Sequence, residues 1–385
     1  MIGEIAIKQF EENEDESKPP PSSFKDLADN LLNYEGINGG QVVSLISILV
    51  NYCVLAFALS RAGHVAVDVV NFFNMGEAST LSQPIFSAIF SVAIIGLIST
   101  QRSKTLSQIA SGAVFLLFLS FGSILMPGLA NMQQDVLTTF TAPGTCMTDP
   151  STNLIDSMST AAPIFITTMI YQNIVPTVTK LLEYDRNKVM AAILIGSGLP
   201  VMMYIAWCFA VLGGGVSLNS MGEGAGLESM ILLSFSVAAI GGSSIGCVMS
   251  LAAELKSQLT PLVSKNGPIS ASQCSLSKSD LIQDNSNFSL APVALAVIPP
   301  LLAGLLQSGG EGMTMALKIS GSYLSPILYG VLPVLLARKQ EESFVEPVFK
   351  DKEMLPGGIF SQAILSFCAM GFIGHAFIND ISSLF

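Results

Sequence analysis

Nine stretches of this chain carry at most one charge each: residues 41–60, 83–99, 107–130, 161–179, 189–211, 230–253, 290–306, 313–336 and 357–378. An α-helix needs about 20 apolar residues to cross roughly 30 Å of hydrocarbon, and most of these stretches approach or exceed that length. Backbone immersed in lipid must satisfy its own hydrogen bonds, so segments of this kind are helices and not strands. A large soluble helical protein would need solvated helix faces, which apolar blocks joined by polar loops do not offer. Composition agrees, with 50% hydrophobic and 12% charged residues, against about a quarter charged in a soluble domain. The chain therefore reads as all-α, a multi-pass membrane helical bundle.

The few positive charges are placed asymmetrically. Lys8, Lys18 and Lys25 precede the first stretch, and Arg102 and Lys104 lie between the second and third. Lys180, Arg186 and Lys188 follow the fourth stretch, while Lys256, Lys265 and Lys278 follow the sixth. Arg338, Lys339, Lys350 and Lys352 fill the loop before the last. Of the 17 basic residues, only Arg61 and Lys318 fall elsewhere. Alternation of this kind is what the positive-inside rule produces, and a miscounted helix would scramble it. The N-terminus is thus expected on the cytoplasmic face, or on the equivalent face of an organelle membrane, with the C-terminus opposite. Plasma membrane and plastid or other organelle inner membrane both fit.

Other function classes lack their chemistry. A net charge of −11 leaves no basic surface for nucleic acid. Two histidines and six scattered cysteines give no metal or haem constellation. The serine-rich stretches lack the histidine and acid that would activate a nucleophile, so no enzyme and no cofactor is expected. Residues 1–40 are expected to hold a short helix remnant and an acidic polar linker. Residues 41–378 form the membrane domain, interrupted by a disordered loop at 257–289, and 379–385 form a tail.

Several stretches are interrupted by polar residues. The fourth places Thr167, Thr168, Tyr171, Gln172 and Asn173 between Pro163 and Pro176. Proline removes an amide donor and clashes with the preceding turn, and discontinuous helices of this kind line transporter cavities. A Pro-kinked helix glued to its neighbours by Thr and Asn is the plainer alternative. The sixth stretch contains Gly241-Gly242-Ser243-Ser244-Ile245-Gly246, read either as close helix packing or as a cation site. The eighth, with Ser320, Gly321, Ser322, Tyr323 and Ser325, admits both readings. Lys318 near its start is expected to snorkel to the interface. His64 and His375 are expected at the interface. No Asp or Glu is embedded in a span as an obvious proton carrier.

Ile195-Gly196-Ser197-Gly198-Leu199-Pro200, followed by Tyr204, Trp207 and Leu212-Gly213, resembles the seventh helix of the tryptophan/tyrosine permeases. Val175-Pro176 after the polar break resembles their broken sixth helix. Ile298-Pro299-Pro300-Leu301, with the stretch to Leu336 closed by Arg338-Lys339, is similar to their ninth and tenth. The likeness runs from about Phe24 to the C-terminus. It implies the amino acid–polyamine–organocation superfamily, with eleven spans built on an inverted-repeat (5+5) transporter fold. On that pattern the nine stretches are the third to eleventh helices, Met1–Phe10 is the tail of the second, and the first is absent. The resemblance thus implies a fragment or an incomplete gene. A second departure is Ile170-Tyr171-Gln172, where bacterial relatives carry an aromatic residue followed by histidine.

The resemblance also implies roles. Thr167, Thr168, Tyr171 and Gln172 would face the substrate, and Asn173 would shape the break. Ser243 and Ser244 match cation-binding positions of sodium-coupled relatives, and are otherwise structural. The implied function is secondary transport of an amino acid, tyrosine or tryptophan, by proton symport, with an ion gradient and no cofactor as the driving force. The alternative is a truncated, non-transporting membrane protein of the same fold.

Overall fold

The computed structural model describes residues 2–16, 24–34, 37–73, 83–130, 182–214, 227–264, 290–306, 310–343 and 358–382, together with Ala162, Pro163, Ile166, Thr167, Val175, Val178 and Thr179. Short helices α1 (Ile2–Glu16) and α2 (Phe24–Leu31) come first, then a two-stranded antiparallel ribbon, β1 (Asn33–Tyr34) and β2 (Ile37–Asn38). The long helices are α3 (Gly39–Phe72), α4 (Gln83–Thr100), α5 (Ser103–Ala130), α6 (Arg186–Gly214), α7 (Leu227–Ser264) and α8 (Leu290–Leu306). α9 (Gly310–Ile319) runs through two π-helical turns, Ser320–Leu324 and Ile327–Val331, into α10 (Leu332–Ser343), and α11 (Gly358–Ser382) ends the described chain.

Seven of these helices are long and apolar enough to cross a membrane, with the α9–α10 run counted as one, and α8 is a shorter apolar helix. The protein is a multi-pass helical membrane protein. Eight of the nine predicted stretches are thus helical, while the fourth is described only at the positions given above. Large apolar side chains such as Phe115, Ile195 and Phe367 are 71%, 70% and 80% exposed. In water such a surface would aggregate; in lipid it is the solvent-matched face.

Four helix boundaries differ from those read in the sequence. α1 runs through the acidic stretch 11–16, which was expected to be a linker. α3 has 34 residues, about 51 Å at 1.5 Å per residue, and so outruns the hydrocarbon and carries Arg61 and His64 within it. α7 extends to Ser264, into the loop expected to be disordered. α11 reaches Ser382, so Asp380 stands on the last span and not in a tail. The physical reason is common to all four. Hydropathy marks only the part of a helix inside lipid, whereas a helix once nucleated propagates cheaply into the polar residues beyond it.

Two compact units divide the chain: Met1–Val50, Asp149–Ile205 and Leu317–Phe385 form one, and Asn51–Thr148 with Ala206–Ala316 form the other. In the first unit α1 buries Ile2, Ile5, Ala6 and Gln9, a spacing that keeps one helical face inward. Ile2, Ile5 and Ala6 join Leu27, Ala28, Val43, Leu328, Leu332 and Leu336 in a single core. The two buried amides in this core are satisfied by backbone. Gln9 Nε2 donates to Leu27 O at 3.3 Å and Gln340 Nε2 to Ile5 O at 3.4 Å. In the second unit α7 packs on α5 and α8, and α8 packs on α4. Phe121 of α5 lies 6.2 Å from the ring of Trp207 and 6.3 Å from that of Phe235. Tyr52 OH donates to Leu295 O at 3.0 Å and Ser87 Oγ to Leu59 O at 2.8 Å, which ties this part of α3 to α8 and α4.

Candidate functional site

A hydroxyl on a membrane helix normally satisfies itself by donating to the carbonyl one turn back. Ser91, Ser120, Ser123, Ser197 and Ser234 all do so, at 2.7–2.9 Å. Ser320, Ser322 and Ser325 break the habit. Their hydroxyls are fully buried, at 0%, 0% and 1% exposure, and have no hydrogen-bond partner among the described residues. A buried, unmade hydroxyl bond costs about 1–3 kcal/mol, so three on one turn and a half of helix mark a place where polarity is retained against stability.

The backbone there is also unusual. Ser325 N–H bonds to Ser320 O and Leu332 N–H bonds to Ile327 O, each spanning five residues where an α-helix spans four. The residue after each of these donors is a proline, Pro326 and Pro333. Returning from five-residue to four-residue bonding strands one carbonyl, and a proline with no N–H at that step is the natural place for it. Single π turns inserted into α-helices recur at functional sites. Pro326 and Pro333, seven residues apart, are the signal by which the sequence could have located these turns.

The first π turn meets the fourth stretch. Thr167 is buried, and its hydroxyl lies within donor distance of Pro163 O at 2.9 Å and Leu317 O at 3.2 Å. A Cβ on Gly321 would collide with Pro163 O and stand 2.6 Å from Thr167 Oγ1. Glycine is therefore required at 321 to let two polar, proline-bearing segments touch through their backbones. A second close approach joins the other π turn to α11, where a Cβ on Gly330 would lie 2.5 Å from Ala369 Cβ.

Of the residues singled out in the sequence, Thr167 is thus at a buried polar seam. Thr168, Tyr171, Gln172 and Asn173 lie outside the described residues. Ser243 and Ser244 belong to the second unit, on α7. Ser243 Oγ donates to Ile240 O at 3.1 Å, whereas Ser244 Oγ is fully buried and unpartnered among the described residues. Around them, among the described residues, a Cβ on Gly241 or Gly246 would find nothing within 4 Å, and one on Gly242 only an ordinary contact with Ala113. Lys318 does not simply snorkel: its Nζ is 2.6 Å from Asp380 Oδ1. Among the described residues no group of His, Cys, Asp and Glu could hold a metal ion.

One groove is open and wholly apolar, about 490 Å³, lined by Pro84, Ile85, Ala88, Ile89, Val92 and Leu305. It has no polar group to orient an amino acid. The buried polar seam of the first unit is the better candidate.

Comparison with known sequences bears on what that seam serves. The profile of the tryptophan/tyrosine permease family matches residues 9–375. The chain belongs to that family. Tyrosine-specific transport system 1 of Haemophilus influenzae is 24% identical over 325 residues, 82% of this chain and 73% of that protein. Permease membership favours a transporter over an enzyme and over the non-transporting alternative.

Proposed function

We propose that this permease moves an aromatic amino acid, tyrosine or tryptophan, across a membrane by proton symport. Support for the substrate class comes from the family and from the tyrosine-specific transport system that the chain resembles. The single observation that carries the site is the contact of Thr167 with the π-turned helix at Leu317 and Gly321. In this reading Thr167, Thr168, Tyr171 and Gln172 face the amino acid and Asn173 shapes the break in the fourth stretch. An interrupted helix offers free amides and a positive dipole end to a carboxylate, and free carbonyls to an ammonium. Ser244, and Ser243 beside it, serve either as cation ligands or as packing residues. The N-terminus lies on the cytoplasmic or equivalent face, as the basic residues prescribe.

Uptake of labelled tyrosine and tryptophan into proteoliposomes under an imposed proton gradient tests the proposal. Accumulation should occur, collapse with a protonophore, and survive replacement of sodium. Absence of uptake of either amino acid under the gradient would overturn the substrate assignment. Uptake that follows sodium in place of the proton gradient would overturn the coupling and turn attention to Ser243 and Ser244.

A further inference from the structure

The carboxylate of Asp380, on α11, is held twice by the run that contains the first π turn. Lys318 Nζ is 2.6 Å from Oδ1, and Tyr323 OH donates to Oδ2 at 2.5 Å. Lys318 and Tyr323 are five residues apart. In an α-helix five residues turn through about 500°, which leaves the two side chains about 140° apart around the axis. A π turn bonds residues five apart and so stands them on one face. The turn Ser320–Leu324, with Ser325 N–H on Ser320 O, follows Lys318 and contains Tyr323, so it narrows their angular separation. One carboxylate therefore reaches both partners because the turn is widened, and holding both partners favours the widened turn over the α register.

That register matters to the seam. Leu317, whose carbonyl faces Thr167 Oγ1, precedes the turn, and Gly321, which admits Pro163 O, lies within it. Relaxation to an α register would rotate Gly321 relative to Leu317 and break their shared contact with the fourth stretch. We propose that Asp380 is a positioning residue for transport: its two-pronged hold on Lys318 and Tyr323 fixes the π register, and the register sets Leu317 and Gly321 against Thr167. The inference rests on the reading of Thr167 as substrate-facing. Asp380 also lies beyond residue 375, where the family match ends, so the family assigns it nothing. Removal of the carboxylate leaves the Gly330–Ala369 approach to hold α11 in place.

Two measurements on the full chain test the proposal. In proteoliposome uptake, Asp380→Ala and Tyr323→Phe should each raise the KM for tyrosine about tenfold with the maximal rate within about twofold of wild type. The double variant should raise KM no further than either single one, because both act through one register. Asp380→Glu, which keeps a carboxylate, should recover most of the wild-type KM. Unchanged KM in both single variants, or effects that add, would overturn the proposal. Should Asp380→Ala fail to fold, Tyr323→Phe, which leaves the Lys318 pair intact, decides alone. The second measurement does not depend on transport. With the native cysteines removed, the buried Thr167→Cys should react with a maleimide at least about tenfold faster when Asp380→Ala is added. An unchanged rate would overturn the register coupling even where wild-type uptake succeeds. Absent wild-type uptake, by contrast, counts against the transport reading and leaves the labelling result to judge the coupling.

Discussion

At Gly321 a hydrogen in place of a methyl group decides whether two segments touch. The atom a Cβ would strike is a backbone carbonyl, that of Pro163, which cannot rotate away as a side-chain end can. Overpacking of this kind costs about 1–3 kcal/mol, and here it would also separate Thr167 from Leu317. Gly321→Ala should therefore lower the thermal midpoint and abolish uptake. Gly246→Ala, at a site with nothing among the described residues within 4 Å of the new methyl, should leave both unchanged. A thermal-shift assay and uptake on the two variants check this, and equal behaviour would refute the close approach. Glycine in the sequence could not distinguish these positions. Both lie in Gly/Ser-rich helix interiors, and only the neighbour across the contact separates them.

Helix ends are settled by local chemistry that a hydropathy pattern does not register. Between the fourth stretch and α6, Glu183 and Tyr184 both adopt left-handed backbone, at φ 55° and 58°, a conformation that costs non-glycine residues of order 1 kcal/mol each. Tyr184 N–H closes on Thr179 O at 3.0 Å, the six-residue bond that terminates a helix. Asp185 then caps α6, its carboxylate accepting Asn187 N–H at 3.0 Å and Lys188 N–H at 3.3 Å. The hydrogen bonds from Lys188 hold that carboxyl below its usual range. The Tyr184 ring stacks on Phe10 at 4.0 Å with an interplanar angle of 1°, which pins α1 to this turn. Burial, and then the Asp26 carboxylate, push the Tyr184 phenol up from 10.0 to about 12. The folded state thus favours the protonated phenol. Its contribution to stability is complete below pH 10 and is lost as the pH rises towards 12. An absorbance titration should show phenol ionisation extending to about pH 12, and Tyr184→Phe should reduce the amplitude of that late phase.

For the whole molecule, the distribution of basic residues predicts opposite accessibility of Arg102 and Arg61. In a cysteine-free background, Arg102→Cys should be labelled by an impermeant maleimide only from the cytoplasmic face, and Arg61→Cys only from the other. Labelling from one and the same face would refute the topology. The sequence by itself was enough to determine that the chain is a multi-pass helical membrane protein, where eight of its nine apolar stretches lie, and its family. These follow from quantities summed along a local segment: hydropathy over a lipid thickness, charge between spans, and the order of short motifs. The polar seam was half legible. Thr167 stood out because polar residues between prolines are conspicuous in an apolar run, whereas Ser320, Ser322 and Ser325 read equally well as packing. What only the tertiary structure decided is which of these groups meet. Thr167 and Leu317 are 150 residues apart and Lys318 and Asp380 are 62 apart. Next to both contacts lies the π turn Ser320–Leu324. A turn differs from its α alternative by one residue of hydrogen bonding, a difference too small in local energy for composition to reveal and fixed only by the partners across the contact.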